Sequence, residues 1–174
     1  MYQTLRKIMR TGIATETPPA PADDNVVVAR LHEKILRTLG RALAIRHVDA
    51  GSCNGCELEA HALSNPYYNL EGLGIRHVAS PRHADALMVT GPVTKHMAIA
   101  LRRTYDAMPD PKLVIAVGEC ACSGGIFGET YATIGALSKV LPIDVAIPGC
   151  PPSPTLMLQG ILAAITNGRG GEVR

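Results

Sequence analysis

The chain has 174 residues, of which 47% are apolar and 18% charged, the length and balance of one folded domain with its own core, which excludes general disorder. A net charge of +2 is too small for a dedicated nucleic-acid binder, so no nucleic-acid partner is expected. No apolar run reaches the roughly 18 residues a membrane helix needs, so the chain is not expected to span a bilayer.

Nothing near the start reads as a secretion signal or a twin-arginine pair, which points to the cytoplasm. Structural disulfides are not expected there, and five cysteines call for another explanation. Aromatic residues make up 3%, with no Trp and one Phe, so the core must rest on Val, Ile, Leu, Ala and Met. The 17 Gly and 13 Pro imply many tight turns between short elements.

Residues 1–24 read as an N-terminal extension. Arg6, Lys7 and Arg10 flank Leu5, Ile8 and Met9, and Thr17-Pro18-Pro19-Ala20-Pro21 favours an extended arm. Such an arm is either a frayed terminus or a segment lying on a partner or a membrane surface. Residues 25–174 read as the folded domain. It opens on a helix in which Val28, Leu31, Ile35 and Leu39 recur at helical spacing and Gly40 is the stop. Arg30, Lys34, Arg37 and Arg41 line another face of that helix, either a solvated stripe or one that meets lipid headgroups or an acidic subunit.

Short β-branched runs follow, bounded by Gly or Pro: Ile45 to Val48, Ile75 to Ala79, Ala86 to Thr90, Leu113 to Val117 and Val145 to Ile147. They predict buried parallel strands. Helices are expected over His96 to Tyr105, Ile134 to Val140 and Ser153 to about Ile165, the last with Pro154 in its first turn. The alternation predicts an α/β domain with a mainly parallel sheet and helices on both faces. The tail Asn167-Gly168-Arg169-Gly170-Gly171 reads as loose.

Cysteines follow three of these strands. Cys53-Asn54-Gly55-Cys56 comes after the strand ending near Val48. Cys120 follows Val117 through Gly118 and Glu119, and Cys150 follows Ile147 through Pro148 and Gly149. The carboxyl ends of parallel strands lie along one edge, where ligands bind, so remote cysteines converge there. Tetrahedral thiolate ligation suits zinc or iron. One closely spaced pair plus single cysteines from two distant loops suits an iron–sulfur cube better than structural zinc. A thioredoxin-like pair at Cys53 and Cys56 is the alternative, and it leaves Cys120 and Cys150 without a role. Either Cys120 or Cys122 should be spare. Glycine surrounds the candidates, at Gly51, Gly55, Gly118, Gly124, Gly125 and Gly149.

Three segments carry a family resemblance. They are Asp49-Ala50-Gly51-Ser52-Cys53-Asn54-Gly55-Cys56-Glu57-Leu58-Glu59, Gly118-Glu119-Cys120-Ala121-Cys122-Ser123-Gly124-Gly125-Ile126-Phe127 and Pro148-Gly149-Cys150-Pro151-Pro152. From about residue 40 to 163 the sequence resembles the small subunit of energy-converting, membrane-bound nickel–iron hydrogenases of the formate hydrogenlyase and hydrogenase-4 type. That superfamily also holds the 20 kDa (B) subunit of respiratory complex I.

The resemblance implies a flavodoxin-like three-layer sandwich and one 4Fe–4S cluster, with Cys53, Cys56, Cys120 and Cys150 as its ligands. Cys120 is implied because the family ligand lies four residues before the first glycine of the pair, here Gly124. Cys122 then falls at a non-ligand position. Complex I subunits place two adjacent cysteines where this chain has Cys53-Asn54-Gly55-Cys56, and uptake hydrogenases carry a twin-arginine leader and more cysteines. Both departures favour the energy-converting type.

The implied role is electron relay between a ferredoxin-like iron–sulfur subunit and the nickel–iron site of a large subunit. The implied setting is a complex with integral membrane subunits, the chain lying peripherally on the cytoplasmic side of the inner membrane. The alternative is a complex I-like quinone reductase, or a hydrogenase-related complex without hydrogen chemistry. Either way the chain is expected to be an oxidoreductase subunit with no complete active site of its own.

Glu59 matches an acidic position shared by the hydrogenase and complex I relatives and is the candidate for proton transfer. An ordinary surface or capping carboxylate is the alternative, more so for Glu57. His61 is expected to pack, and His47, His77 and His83 to act as hydrogen-bonded structural groups. Gly91-Pro92-Val93-Thr94 is expected to cap a strand beside the cluster.

Overall fold

The structure is a computed structural model in which residues 40–51 and 53–167 are described, with Arg6, residues 33–35 and Arg37. The expected extension 1–24, apart from Arg6, lies outside the described residues, as does the tail after Asn167 and most of the helix expected from Asp24. Residues 33–35 and Arg37 are helical. Two members of the expected basic stripe are paired within the chain: Arg37 with Glu33 at 2.7 Å and Arg41 with Asp85 at 2.5 Å.

Five strands form one parallel sheet. They are β1 (Leu43–Asp49), β2 (Ile75–His77), β3 (Ala86–Thr90), β5 (Leu113–Val117) and β7 (Val145–Ile147). Their spatial order is β2-β1-β3-β5-β7. Counted within the sheet alone this is the 2-1-3-4-5 order of doubly wound, flavodoxin-like folds, in which the winding reverses between the first and third strands. A small antiparallel pair, β4 (Val93–Thr94) and β6 (Thr133–Gly135), stands apart from it.

The period of two along each strand explains why both faces are covered. In β3, Ala86 and Met88 join one core, while Leu87 and Val89 join the other. The first core packs against α1 (Gly55–Ala62) and α4 (Pro154–Asn167) through Ala60, Met157, Leu158, Ile161 and Ala164. The second packs against α2 (Lys95–Asp106) and α3 (Glu119–Ser123) through Leu101 and Ala121. Each fully buried Leu or Ile stabilises the fold by about 1.5–3 kcal/mol relative to an exposed one. An aromatic-poor sequence therefore still builds a three-layer core.

Local chemistry sets the element ends. Thr94 caps α2 by accepting a hydrogen bond from Met97 N at 3.3 Å. Pro154 begins α4, and Ser153 Oγ accepts from Leu156 N at 3.4 Å. Before β3 and β7, Asp85 and Asp144 each accept a backbone N–H of a neighbouring strand, from Ala44 at 2.9 Å and Val114 at 2.8 Å.

One expected helix is not formed. Residues 134–140 contribute to β6 and then a 3₁₀ turn over Leu137–Lys139. The apolar spacing there comes from Leu137 and Leu141, which drop into the second core as the chain passes over the sheet. Gly135, at φ +94°, interrupts helical geometry. Two helices absent from the sequence expectation, α1 and α3, begin within the cysteine loops.

Candidate metal centre

The three cysteine loops leave the carboxyl ends of β1, β5 and β7 at one edge of the sheet. The first is tied down before its first thiol. Ala50 N donates to Thr90 O and Thr94 N donates to Ala50 O, each at 2.9 Å, while Asp49 Oδ1 accepts from Gly51 N at 2.8 Å. A Cβ on Gly51 would fall 2.3 Å from Thr94 Cγ2 and 3.3 Å from Pro92 O. The 91–94 segment thus packs against the loop that carries Cys53. Asn54 adopts the left-handed conformation, φ 71°, and accepts Leu58 N at 3.1 Å to start α1. That turn leaves Cys53 exposed and sets Cys56 half-buried in the first turn of the helix.

The second and third loops are joined by backbone bonds. Gly118 N donates to Ile147 O and Glu119 N donates to Gly149 O, each at 2.8 Å. This carries Cys120, in α3, toward Cys150 beyond β7. The first loop reaches the other two through its sulfur and its glycine. A Cβ on Gly118 would lie 2.5 Å from Cys56 Sγ. One on Gly55 would lie 3.5 Å from Cys53 Sγ and 3.9 Å from Pro151. Glycine at these positions permits the approach.

The thiols feel one another electrostatically. Burial first, then Glu57 and the thiols of Cys120, Cys53 and Cys150, push the Cys56 thiol up to about 12. Burial raises Cys120 as well, followed by Cys150, Cys53 and Glu119. Cys56 and Cys120, held in this partly desolvated site, resist joint ionisation unless a cation compensates them.

Cys122 is different. Burial and then Glu119 raise its thiol, with no contribution from the other cysteines. Its sulfur donates to Ile147 O at 3.6 Å and Ala116 O at 3.8 Å, and its side chain packs against the second core. Cys53, Cys56, Cys120 and Cys150 thus lie within electrostatic reach of one another at this edge, without three of the described His, Cys, Asp or Glu side chains being spaced for a metal ion, and Cys122 turns inward. All five are free thiols.

Of the two carboxylates, Glu57 departs from the sequence expectation. Glu59 lies half-exposed on α1, whereas Glu57, expected at the surface, is only 7% exposed and interacts with His47. His47 fits its expected structural role, with Nε2 3.0 Å from Thr90 Oγ1. Arg46 carries no signal in the sequence reading, and the burial of Glu57 departs from it. A signal existed: Glu57, His61 and Ser64 recur at i, i+4 and i+7, one polar face of a helix otherwise read as loop. Leu58, two residues after Cys56, Ile126 and Phe127, just after the Gly124–Gly125 pair, and Leu156, in the first turn of α4, are exposed, Ile126 by 93%.

Comparison with known proteins places this architecture. The profile of the family described as NADH ubiquinone oxidoreductase, 20 Kd subunit, matches residues 53–164. The chain is 43% identical over 132 residues to a probable membrane-bound hydrogenase subunit of Pyrococcus furiosus, covering 76% of this chain and 79% of the relative. It is 42% identical over 147 residues to formate hydrogenlyase subunit 7 of Escherichia coli, covering 84% of this chain and 58% of that longer protein. Among solved structures, a chain of the membrane-bound sulfane sulfur reductase, an archaeal respiratory membrane complex, superposes with a TM-score of 0.64 at 34% identity, covering 85% of this chain and 78% of that one.

Proposed function

The chain belongs to the family of the NADH ubiquinone oxidoreductase 20 Kd subunit and is an oxidoreductase subunit, and from that membership we propose that it carries one 4Fe–4S cluster on Cys53, Cys56, Cys120 and Cys150. The observation that carries this reading is the convergence of those four sulfurs from three strand ends, with Cys122 bonded into the interior instead. The cradle is consistent with an inorganic group. Gly118 and Gly125 carry no side chain where Cys56 Sγ and Cys120 Sγ sit, since a Cβ there would stand 2.5 and 2.9 Å from those sulfurs. Among the described residues no three His, Cys, Asp or Glu side chains are spaced for a single metal ion.

When bound, such a cluster supplies one-electron redox chemistry. The rest is done by the chain. The four thiolates hold the group and offset its charge. The sheet edge and the turns at Gly118 and Gly149 fix their positions, and the exposed apolar side chains of Leu58, Ile126 and Phe127, close in sequence to the ligands, offer contact to a companion subunit. Four ligands serve one cluster, so electrons enter from and leave to neighbours. We assign those neighbours as a ferredoxin-like subunit and a large subunit of the nickel–iron hydrogenase type. Integral membrane subunits anchor the assembly, with this chain peripheral on the cytoplasmic side of the membrane. No helix among the described residues is long and apolar enough to cross a membrane. Glu59 remains the candidate for proton transfer at the companion interface.

The hydrogenase relatives favour proton reduction or hydrogen oxidation as the overall reaction. The likeness to a sulfane sulfur reductase chain favours a second reading, the same relay in a complex that reduces another acceptor. Anaerobic purification with the natural companion subunits tests the cofactor. Iron and acid-labile sulfide attributable to this chain are expected at about four each. Zinc at one per chain with no iron there contradicts the proposal. Two cysteine pairs holding nickel in the large companion separate the first reading from the second.

A further inference from the structure

A second concentration of polar side chains lies outside the thiol quartet, around a cavity of about 290 Å³. Its origin is topological. β1 continues to Asp49 after its last pairing with β2, at Ile45↔His77. The notch left beside β1 is covered by α1 and its exit, so Glu57, His61 and Ser64 face Arg46, His47 and His77 across it. His61, Ser64 and His77 are exposed and open the notch to solvent, whereas Arg46 and His47 are half-buried and Glu57 is buried.

The notch carries one cation and one carboxylate that balance without closing on each other. Among the described residues no ion pair includes Arg46. Its Nε is buried without a hydrogen-bond partner. A guanidinium accepts nothing, so this N–H calls for an acceptor from outside the chain. Glu57 interacts with His47. A carboxylate has about four acceptor positions, so that interaction leaves it able to take further donors.

The charge balance selects the occupant. A second anion would face Glu57 with only Arg46 to offset both. A metal cation is opposed by Arg46, and the described side chains offer no metal-ion arrangement. An apolar molecule would leave Arg46 Nε unmet. The occupant is therefore neutral, accepts from the guanidinium and donates to the carboxylate. Water does both, and the exposed side of the notch admits it. At about 30 Å³ for each molecule the volume holds several.

We propose that this notch is a water-binding site, in which a resident water accepts from Arg46 Nε and water molecules link that guanidinium to the Glu57 carboxylate. A polar separation too wide for a direct bond is the usual place for such a bridge. The bridge ties α1, which carries Cys56, to β1. The inference goes beyond electron relay and does not depend on the cluster.

The test is a structure of the purified assembly, as wild type and as Arg46→Met, at a resolution that shows ordered water. The wild type should show a water within about 3.2 Å of Arg46 Nε that also contacts a second polar atom of the notch. Arg46→Met removes the donor and should lose that water. A companion side chain or an ion against Nε overturns the proposal. So does a direct contact between Arg46 and Glu57, or a notch without ordered density at Nε. Persistence of the same water in Arg46→Met overturns the role of Arg46 in holding it. Should the variant fail to assemble, the wild-type density alone decides among these outcomes.

Discussion

The Cys56 sulfur occupies the space that a side chain on Gly118 would need. A Cβ there would lie 2.5 Å from Cys56 Sγ, and φ +88° already disfavours any L side chain. Gly118→Ala thus combines backbone strain of about 1–3 kcal/mol with overpacking of similar size. The expected outcome is a lower thermal midpoint and loss of iron from the chain. Gly128→Ala is the comparison. Gly128 has φ +54° and nothing within 4 Å of a built Cβ, so only strain is added and iron should stay. Equal iron loss in both variants would remove the special role of the Gly118–Cys56 approach.

Asp85 joins three parts of the sheet edge. Its carboxylate accepts Ala44 N at 2.9 Å and Arg41 Nη2 at 2.5 Å just before β3 begins. Asp85→Ala strands the Ala44 N–H, which costs about 1–3 kcal/mol. Arg41→Ala, which removes only an exposed partner, should cost below about 1 kcal/mol. Urea midpoints of the two variants check the ranking, and a larger effect for Arg41→Ala would contradict it.

His47 makes stability depend on acidity. Burial lowers its folded-state affinity for protons below the ordinary value of 6.5, the nearby Glu57 opposing this in part. The unfolded chain then binds the proton more readily, so stability rises with pH through this window. The contribution is fully present above about pH 6.5 and is lost as pH falls toward the lowered folded value. Thermal midpoints should decline from about pH 7 to about pH 5.5, and His47→Gln should flatten that decline. An unchanged slope in the variant would rule His47 out as its source.

The side chain of Ile126, next after the Gly124–Gly125 pair and six residues after Cys120, is exposed. Ile126→Asp should leave the chain's own stability within about 0.5 kcal/mol, since nothing in its interior is disturbed. Association with the proposed large companion subunit should weaken by about tenfold or more, because a charge would enter the apolar contact that the proposal places here. Size-exclusion chromatography of the co-expressed assembly measures this. Intact association would place the companion elsewhere.

Much of this arrangement was legible before any coordinates. Ala86–Thr90, Leu113–Val117 and Val145–Ile147 form strands over the expected ranges, because short, largely apolar runs closed by Gly or Pro have few other uses. Cysteine after each of three strands was enough to place the thiols on one edge. The helices α1 and α3 were not legible. α3 spans five residues and ends at Gly124, too short for a periodic signal. α1 is amphipathic only weakly, since Glu57 lies on its covered side. Residues 134–140 misled in the opposite direction, apolar spacing imitating a helix where Gly135 and the 3₁₀ turn merely deliver Leu137 to the core. The buried Arg46–Glu57 cavity depends on where β2 stops, a tertiary fact no local pattern carries.

The most direct measurement compares Cys150→Ala with Cys122→Ala in the anaerobically purified assembly, by low-temperature electron paramagnetic resonance and iron content. Cys150 stands among the interacting thiols, and its removal should eliminate one cluster signal and about four irons. Cys122 donates its S–H to Ile147 O and Ala116 O inside the fold, so its removal should leave signal and iron in place. Loss of the cluster with Cys122→Ala and its survival with Cys150→Ala would contradict the account at its centre.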